Sequence, residues 1–237
     1  MDVGNIRENI ESIRETIKEA AESVGRNPED INLIAVTKLH GPEEINEAID
    51  CGIKDIGENK VQELLEKYEK VKPVRWHLIG HLQTNKVKYI IDKVDLIHSV
   101  DSLKLAQEID KRALQHGKIM DVLIQVNAAE EESKFGVSSG DTENLIQEII
   151  ETCPNVRIKG LMCIAPLEED MEKVRPFFAE VKEIFDRYVG DESGRTDFRY
   201  LSMGMTDDYP VAIQEGANMV RIGRAIFGAR NYRQEEK

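Results

Sequence analysis

A chain of 237 residues holds one large domain or two small ones, and an eight-stranded α/β barrel, which needs about 250 residues, is compatible with that length. Hydrophobic residues at 41% and charged residues at 32% supply a sizeable core and exclude compositional disorder. Lys+Arg of 32 against Asp+Glu of 45 gives a net charge of −13, and with no basic patch along the chain this sets nucleic acid and anionic membrane aside as partners.

The first residues, Met1 to Arg7, contain no basic region leading into an apolar stretch, and no run of about 18 apolar residues follows, so neither secretion nor membrane spanning is expected. Ile6, Ile10, Ile13, Ile17 and Val24 then recur at helical steps with Glu and Arg between them. They predict an amphipathic helix within residues 1–27, ended near Gly25 and Pro28. At Ile31–Val36 the pattern changes to a short run rich in branched residues, as in a buried parallel strand. Similar runs follow at Ile53–Ile56, Trp76–Ile79, Val94–Ile97, Val122–Val126, Val156–Leu161, Tyr200–Ser202 and Met219–Ile222, making eight predicted strands. Between them Leu103, Ala106, Ile109 and Ala113 share a helical face, as do Val174, Phe177, Phe178, Val181, Ile184 and Phe185.

Alternation of this kind requires crossover connections and a parallel sheet. Eight units in a chain of this length predict a single α/β domain, a (β/α)8 TIM barrel over 31–230 with an extra N-terminal helix; an open doubly wound sheet is the alternative, because periodicity does not reveal closure. No Pro-, Ser- or Gly-rich linker divides the chain, and the polar stretch Gly190 to Asp197 reads as a loop. The three cysteines, Cys51, Cys153 and Cys163, are odd in number and form no C-x-x-C pair. They argue against a disulfide framework or zinc knuckle, read as buried small hydrophobes, and fit a reducing, cytoplasmic location.

In such barrels the functional groups sit at the C-terminal ends of the strands. The first predicted strand ends Ala35-Val36-Thr37-Lys38, which places a lysine where desolvation would free its amine for imine formation with a carbonyl ligand; the alternative is a lysine that snorkels to solvent. At the far end, Val220 to Gly228 reads as strand, glycine and helical turn, so the amides of Gly223 and Arg224 would form an anion site. The hydroxyl of Ser202 and the close backbone of Gly204, in Ser202-Met203-Gly204-Met205, would close its other side. An imine-forming lysine facing a phosphate cradle specifies a phosphorylated aldehyde or ketone; pyridoxal 5′-phosphate and sugar phosphates both qualify. Arg221 would donate to a pyridine nitrogen and, being cationic, discourage its protonation, or else would pair with one of the many carboxylates.

Ala35-Val36-Thr37-Lys38, Gly57-Glu58-Asn59-Lys60-Val61-Gln62-Glu63, Trp76-His77-Leu78-Ile79-Gly80-His81-Leu82-Gln83-Thr84-Asn85-Lys86, Gly160-Leu161-Met162-Cys163-Ile164-Ala165-Pro166, Leu201-Ser202-Met203-Gly204-Met205-Thr206-Asp207-Asp208 and Val220-Arg221-Ile222-Gly223 through Gly228-Ala229-Arg230 are ordered blocks running from the first strand to the C-terminus. Together they resemble the pyridoxal phosphate homeostasis proteins, the YggS/PROSC family. The resemblance implies a barrel like the N-terminal domain of alanine racemase, holding pyridoxal 5′-phosphate as an aldimine on Lys38. It puts the phosphate at Ser202, Gly223 and Arg224, Arg221 at the ring nitrogen and Asn59 beside the ring, with Met162, Met203 and Met205 lining the pocket. Two departures are visible: many relatives carry a small hydroxyl residue in place of Arg224, and Lys-Ser-Gly where this chain has Lys134-Phe135-Gly136.

The function implied is a cofactor carrier in vitamin B6 and amino-acid homeostasis without robust turnover. Two-base racemisation needs an acid/base group on each face of the ring, and no second domain is expected after Lys237 to bring one. A pyridoxal phosphate enzyme such as an amino-acid racemase, using Lys38 with Tyr209 or His81, is the alternative, and a Schiff-base aldolase a further one. Apoenzymes that require the cofactor are expected partners, and a monomer the expected state. His77 and His81 flank a strand end without a third ligand at zinc-like spacing, so no metal is expected. Asp207 and Asp208 read as helix-capping residues, and Glu130-Glu131-Glu132 as a solvated loop face.

Overall fold

A computed structural model describes residues 5–131, 134–190 and 196–228. The branched apolar runs form nine strands: β1 (Asn32–Val36), β2 (Asp55–Glu58), β3 (Arg75–Leu78), β4 (Leu96–Val100), β5 (Met120–Asn127), β6 (Val137–Ser138), β7 (Val156–Cys163), β8 (Thr196–Ser202) and β9 (Met219–Ile222). Every pairing is parallel, in the order β4-β3-β2-β1-β9-β8-β7-β5, and β4 also pairs with β5. That last pairing closes the sheet into an eight-stranded barrel, deciding for the TIM barrel over the open sheet. The two-residue β6 lies beside the end of β5, with Val137 opposite Val126, and had no counterpart among the predicted strands.

Between the strands run α2 (Pro42–Asp50), α3 (Val61–Tyr68), α4 (Leu103–Gln115), α5 (Thr142–Thr152), α6 (Arg175–Asp186), α7 (Tyr209–Gln214) and α8 (Arg224–Phe227). A 3-10 segment, Thr84–Tyr89, replaces the helix between β3 and β4. Helix α8 is a single turn, too short to cover the seam where the chain's last strand meets its first. The N-terminal helix α1 (Ile6–Glu22) packs on α2, α7 and α8 and supplies that cover, burying Ile6, Ile10, Ile13 and Ile17. Asn5 caps it by accepting from the Arg7 amide at 3.0 Å, and Asn9 Nδ2 donates to the Ile226 carbonyl of α8 at 2.9 Å. Arg26 then ties the following turn to the carbonyls of Ile213 and Ala217, at 2.6 and 2.8 Å.

Several predicted boundaries shift. The apolar stripe of α1 stops before Val24, which is 45% exposed because the helix ends at Glu22. The second strand begins at Asp55 instead of Ile53, and the fourth at Leu96 instead of Val94, because Ile53 and Val94 pack from the connections ahead of their strands. Thr196 and Asp197, expected in a loop, open β8; residues 191–195 of that stretch, Glu132 of the glutamate run, and residues 229–230 lie outside the described residues. Among the described residues no helix is long and apolar enough to cross a membrane.

The barrel interior is divided. Ile34, Leu96, Leu123, Met162 and Met219 make an apolar inner cluster, while Asp55, His77, His98, Ser202 and Arg221 are buried polar groups. Gly160 sits at the register shift between β7 and β8, with φ +142° and space for a Cβ only 1.9 Å from the Tyr200 carbonyl oxygen. Gly160→Ala must therefore push β7 from β8, and its chemical unfolding should show a loss of about 2–4 kcal/mol relative to wild type. Unchanged stability would contradict this register.

Candidate functional site

Parallel strands deliver their C-terminal ends to one rim, and there a cavity of about 490 Å³ opens. Lys38, Asn59, Arg221, Gly223 and Arg224 line it; Val36, Ile79 and Ile164 form an apolar wall, and Met205, Thr206 and Asp207 its edge. A larger cleft of about 700 Å³ lies where the strands begin, against α1. Its arginines are committed, Arg14 to the Gly52 carbonyl at 2.9 Å and Arg75 to Asp55 at 2.6 Å, and it lies at the end of the barrel opposite the strands' C-terminal rim.

Lys38 follows directly on β1. Thr37 extends the strand by donating its amide to the Gly57 carbonyl at 3.0 Å. The chain then turns through Leu39, a bulky residue at φ +67°, whose amide donates to Glu63 Oε2 at 2.8 Å. Asn59 follows β2 in the same way. Gly80 lets the two backbones meet there, because a Cβ at position 80 would lie 2.3 Å from the Asn59 carbonyl oxygen. The Asn59 Oδ1 atom is buried and, among the described residues, has no hydrogen-bond partner.

Across the cavity, Gly223 caps α8, and its backbone passes so close to β1 that a Cβ would sit 3.1 Å from the Val36 carbonyl oxygen. The amides that open a helix have no acceptor within it, so those after Gly223 are available to an anion. The Arg224 guanidinium is paired at the rim with Asp207, at 2.7 and 2.5 Å, and is half exposed.

Arg221 rises from β9 and is 4% exposed. One terminal nitrogen donates to the Ser202 carbonyl (2.7 Å) and hydroxyl (2.6 Å), and the other to the Cys163 carbonyl (2.8 Å). Among the described residues this leaves Nε–H and one Nη2 hydrogen as the uncommitted donors. Burial pulls the guanidinium down to about 10, still cationic at neutral pH. From Ser202 a buried chain crosses the barrel: Ser202 Oγ to His98 Nδ1 at 3.1 Å, His98 Nε2 to His77 Nδ1 at 2.9 Å, and His77 Nε2 to Asp55 Oδ1 at 2.9 Å.

The two ends of this hydrogen-bonded chain are fixed: Arg221 only donates, so the Ser202 hydroxyl accepts from it, and the Asp55 carboxylate only accepts, so His77 Nε2 carries the proton shared with it. Burial, then the charges of His77 and Arg221, hold His98 well below the usual 6.5. Burial would raise Asp55, but hydrogen bonds from His77 and Arg75 outweigh it and hold the carboxyl below the usual range.

Lys38, Asn59, Arg221, Gly223, Arg224 and Met205 line the cavity together, and the other expected residues are placed apart from that lining. Among the described residues that line the cavity, Ser202, Met203 and Gly204 do not appear. The Ser202 hydroxyl is taken by Arg221 and His98, and Met203 is buried in the core. Gly204 accepts the Arg221 amide at 3.0 Å, with φ +89°. Thr206 lines the cavity together with Gly223. Met162 faces the apolar barrel interior. Tyr209 is buried and directs its phenol to Thr16 of α1, on the outside of the barrel. His81 is exposed and stacks on Phe135 with ring centroids 3.8 Å apart, while His77 turns inward to Asp55. Lys134 bridges Glu131 Oε1 (2.8 Å) and the Ala165 carbonyl (3.2 Å).

Asp208 precedes α7 without a side-chain cap bond; its carboxylate turns back to accept the Met205 amide at 2.5 Å, which shapes the rim loop. Burial pushes the Cys163 thiol up to about 12, so it is not a nucleophile. Sequence reasoning passed over Thr206 as a ligand group and His98 altogether. The available signal for His98 was its ring in Leu96-Ile97-His98-Ser99-Val100, a short run that is apolar apart from His98 and Ser99.

A fold of this class with this site has counterparts. Residues 1–231 match the family model for the alanine racemase N-terminal domain. The pyridoxal phosphate homeostasis protein of Aquifex aeolicus is 45% identical over 230 residues, covering 96% of this chain and 100% of that protein. PipY of Synechococcus elongatus, solved with pyridoxal phosphate bound, superposes with a TM-score of 0.80 at 32% identity over 94% of this chain and 100% of its own. Alanine racemase of Clostridium difficile shares the fold at 20% identity, TM-score 0.73, with 57% of its length covered. The chain belongs to the alanine racemase N-terminal domain family and, within it, to the pyridoxal phosphate homeostasis proteins.

The buried His98 imidazole gives a pH signature. A histidine held below 6.5 when folded binds its proton more readily when unfolded, so its contribution is present above about pH 6.5 and is lost as pH falls below it. Stability should fall below pH 6.5 with a slope from His98 approaching about 1.4 kcal/mol per pH unit. Urea unfolding across this range should show a shallower slope for His98→Gln; parallel curves would refute the assignment.

Proposed function

We propose that the chain binds pyridoxal 5′-phosphate in the cavity at the strand ends and acts as a carrier of that cofactor in vitamin B6 and amino-acid homeostasis. The observation that carries this reading is convergence: an amine, a buried guanidinium, an unpartnered amide oxygen and a glycine-headed helix turn face one cavity of about 490 Å³. These match the aldehyde, ring nitrogen, ring oxygen and phosphate of one small molecule. The amide of Asn59 is able to offer either its oxygen or its nitrogen to the ring substituent. Phosphate is assigned to the backbone at Gly223 and Arg224 with the Thr206 hydroxyl, and the pairing of Arg224 with Asp207 keeps the rim near neutral.

Lys38 is the proposed point of attachment. Its amine adds to the aldehyde carbon, a C=N bond replaces C=O and one water leaves, with no change of oxidation state. Bound this way the cofactor supplies an electrophilic imine conjugated to a pyridine ring. Arg221 then governs what the ring is able to do: a cation facing the nitrogen disfavours its protonation and weakens it as an electron sink.

The placement of Tyr209 and His81 supports a carrier over a racemase. Racemisation needs a proton donor and acceptor on opposite faces of the substrate carbon. Tyr209 points to α1 and His81 stacks on Phe135, both outside the cavity wall. Purified protein mixed with pyridoxal 5′-phosphate should develop visible absorbance that Lys38→Ala lacks, while sustained racemisation or transamination stays absent. A visible band in Lys38→Ala as strong as in wild type would contradict the attachment, and turnover at ordinary enzyme rates would contradict the carrier role.

A further inference from the structure

Beneath the cavity lies a second polar cluster that is separate from the Arg221 chain. Lys67 on α3 is nearly buried, and its ammonium donates to Glu58 Oε1 at 2.7 Å and to the Thr37 carbonyl at 2.9 Å, with Glu63 Oε2 at 3.4 Å. Thr37 Oγ1 donates to the same Glu58 oxygen at 2.7 Å. Glu63 in turn holds the Leu39 amide. These bonds converge on the residues that flank Lys38, Thr37 before it and Leu39 after it. Glu58, which immediately precedes Asn59, is gripped by the same ammonium.

Such a cluster is costly. Glu58 is fully buried, its Oε2 has no partner, and burial raises its carboxyl against the pull of Lys67 and Thr37. An apolar pair of similar volume would serve packing as well or better. The cluster also holds Leu39 at φ +67°, a conformation a bulky residue adopts only when its surroundings enforce it. What the ion pair supplies and packing would not is a directional tie between the end of β1 and the end of β2.

We propose that Lys67 is a positioning residue: through Thr37, Glu58 and Glu63 it fixes the turn that aims the Lys38 amine, and it holds that amine in register with Asn59. The inference rests on the cofactor reading above and adds to it the device that makes Lys38, among the chain's lysines, the one that captures the aldehyde.

Lys67→Met alone strands the Glu58 carboxylate and is expected to destabilise the fold, so the deciding variant is Glu58→Gln/Lys67→Met, which removes both charges. Three measurements are made on wild type and this double variant: the thermal midpoint, the binding of pyridoxamine 5′-phosphate, and the rate of covalent capture of pyridoxal 5′-phosphate. The amine analogue has the same ring and phosphate but no aldehyde to condense. Capture is followed by the visible band, with borohydride reduction and peptide mapping to locate the adduct. The double variant should stay folded and bind the amine analogue nearly as wild type does, yet capture at Lys38 should slow at least about tenfold, with adduct spread over other lysines. Capture at the wild-type rate in the folded double variant would overturn the proposal, as would parallel loss of analogue binding, which would mean general damage. Wild type that captures nothing on Lys38 would overturn the cofactor reading itself, and this inference with it.

Discussion

Because Ala35 on β1 is in register with Ile222 on β9, the residues that follow each strand emerge side by side at the same end of the barrel. Lys38 and the Gly223–Arg224 turn, distant in sequence, become two walls of one cavity. The pairing is parallel, so neither strand could reverse without carrying its functional end to the opposite rim. It is also the seam at which the chain closes on itself. Helix α8 is too short to shield it, and α1 takes its place on the outside. The same contact thus explains why an additional N-terminal helix precedes the barrel and why the site combines the two ends of the chain.

The interior of the barrel carries the cost of that arrangement. A guanidinium buried at Arg221 is tolerated only if every committed donor finds an acceptor, and here two carbonyls and a hydroxyl provide them. The hydroxyl is itself set by two imidazoles that end on Asp55, so a charge near the bottom of the barrel helps to orient an arginine at its top. On the other flank the Lys67–Glu58 pair holds the backbone around Lys38. The two polar clusters thus tie, from behind the cavity, the residues that flank Lys38 and the guanidinium of Arg221.

Much of this was legible in the sequence. Eight branched runs separated by helical periodicity required parallel crossovers, and a lysine just past the first run and a glycine just past the last belong to the rim of any such barrel. Closure was not legible, because it depends on the β4–β5 and β1–β9 pairings, which leave no periodic trace. Side-chain direction was the other blind spot. Ser202 and Thr206 are both hydroxyl residues near the end of β8, and only the turn at Gly204 decides that the first faces Arg221 and the second the cavity. Tyr209 looked suitable by spacing, but the first turn of α7 sends its ring outward to α1. For His98 the only signal was its setting in a short, largely apolar strand run, which does not say which groups its ring meets.

The claim that bears the most weight is that one amine in this cavity, Lys38, forms the bond to the cofactor. Reduction of the protein–pyridoxal 5′-phosphate complex with borohydride followed by peptide mapping tests it directly. The account predicts a single dominant reduced adduct on the peptide containing Lys38; a dominant adduct on any other lysine, or none at all, would contradict it.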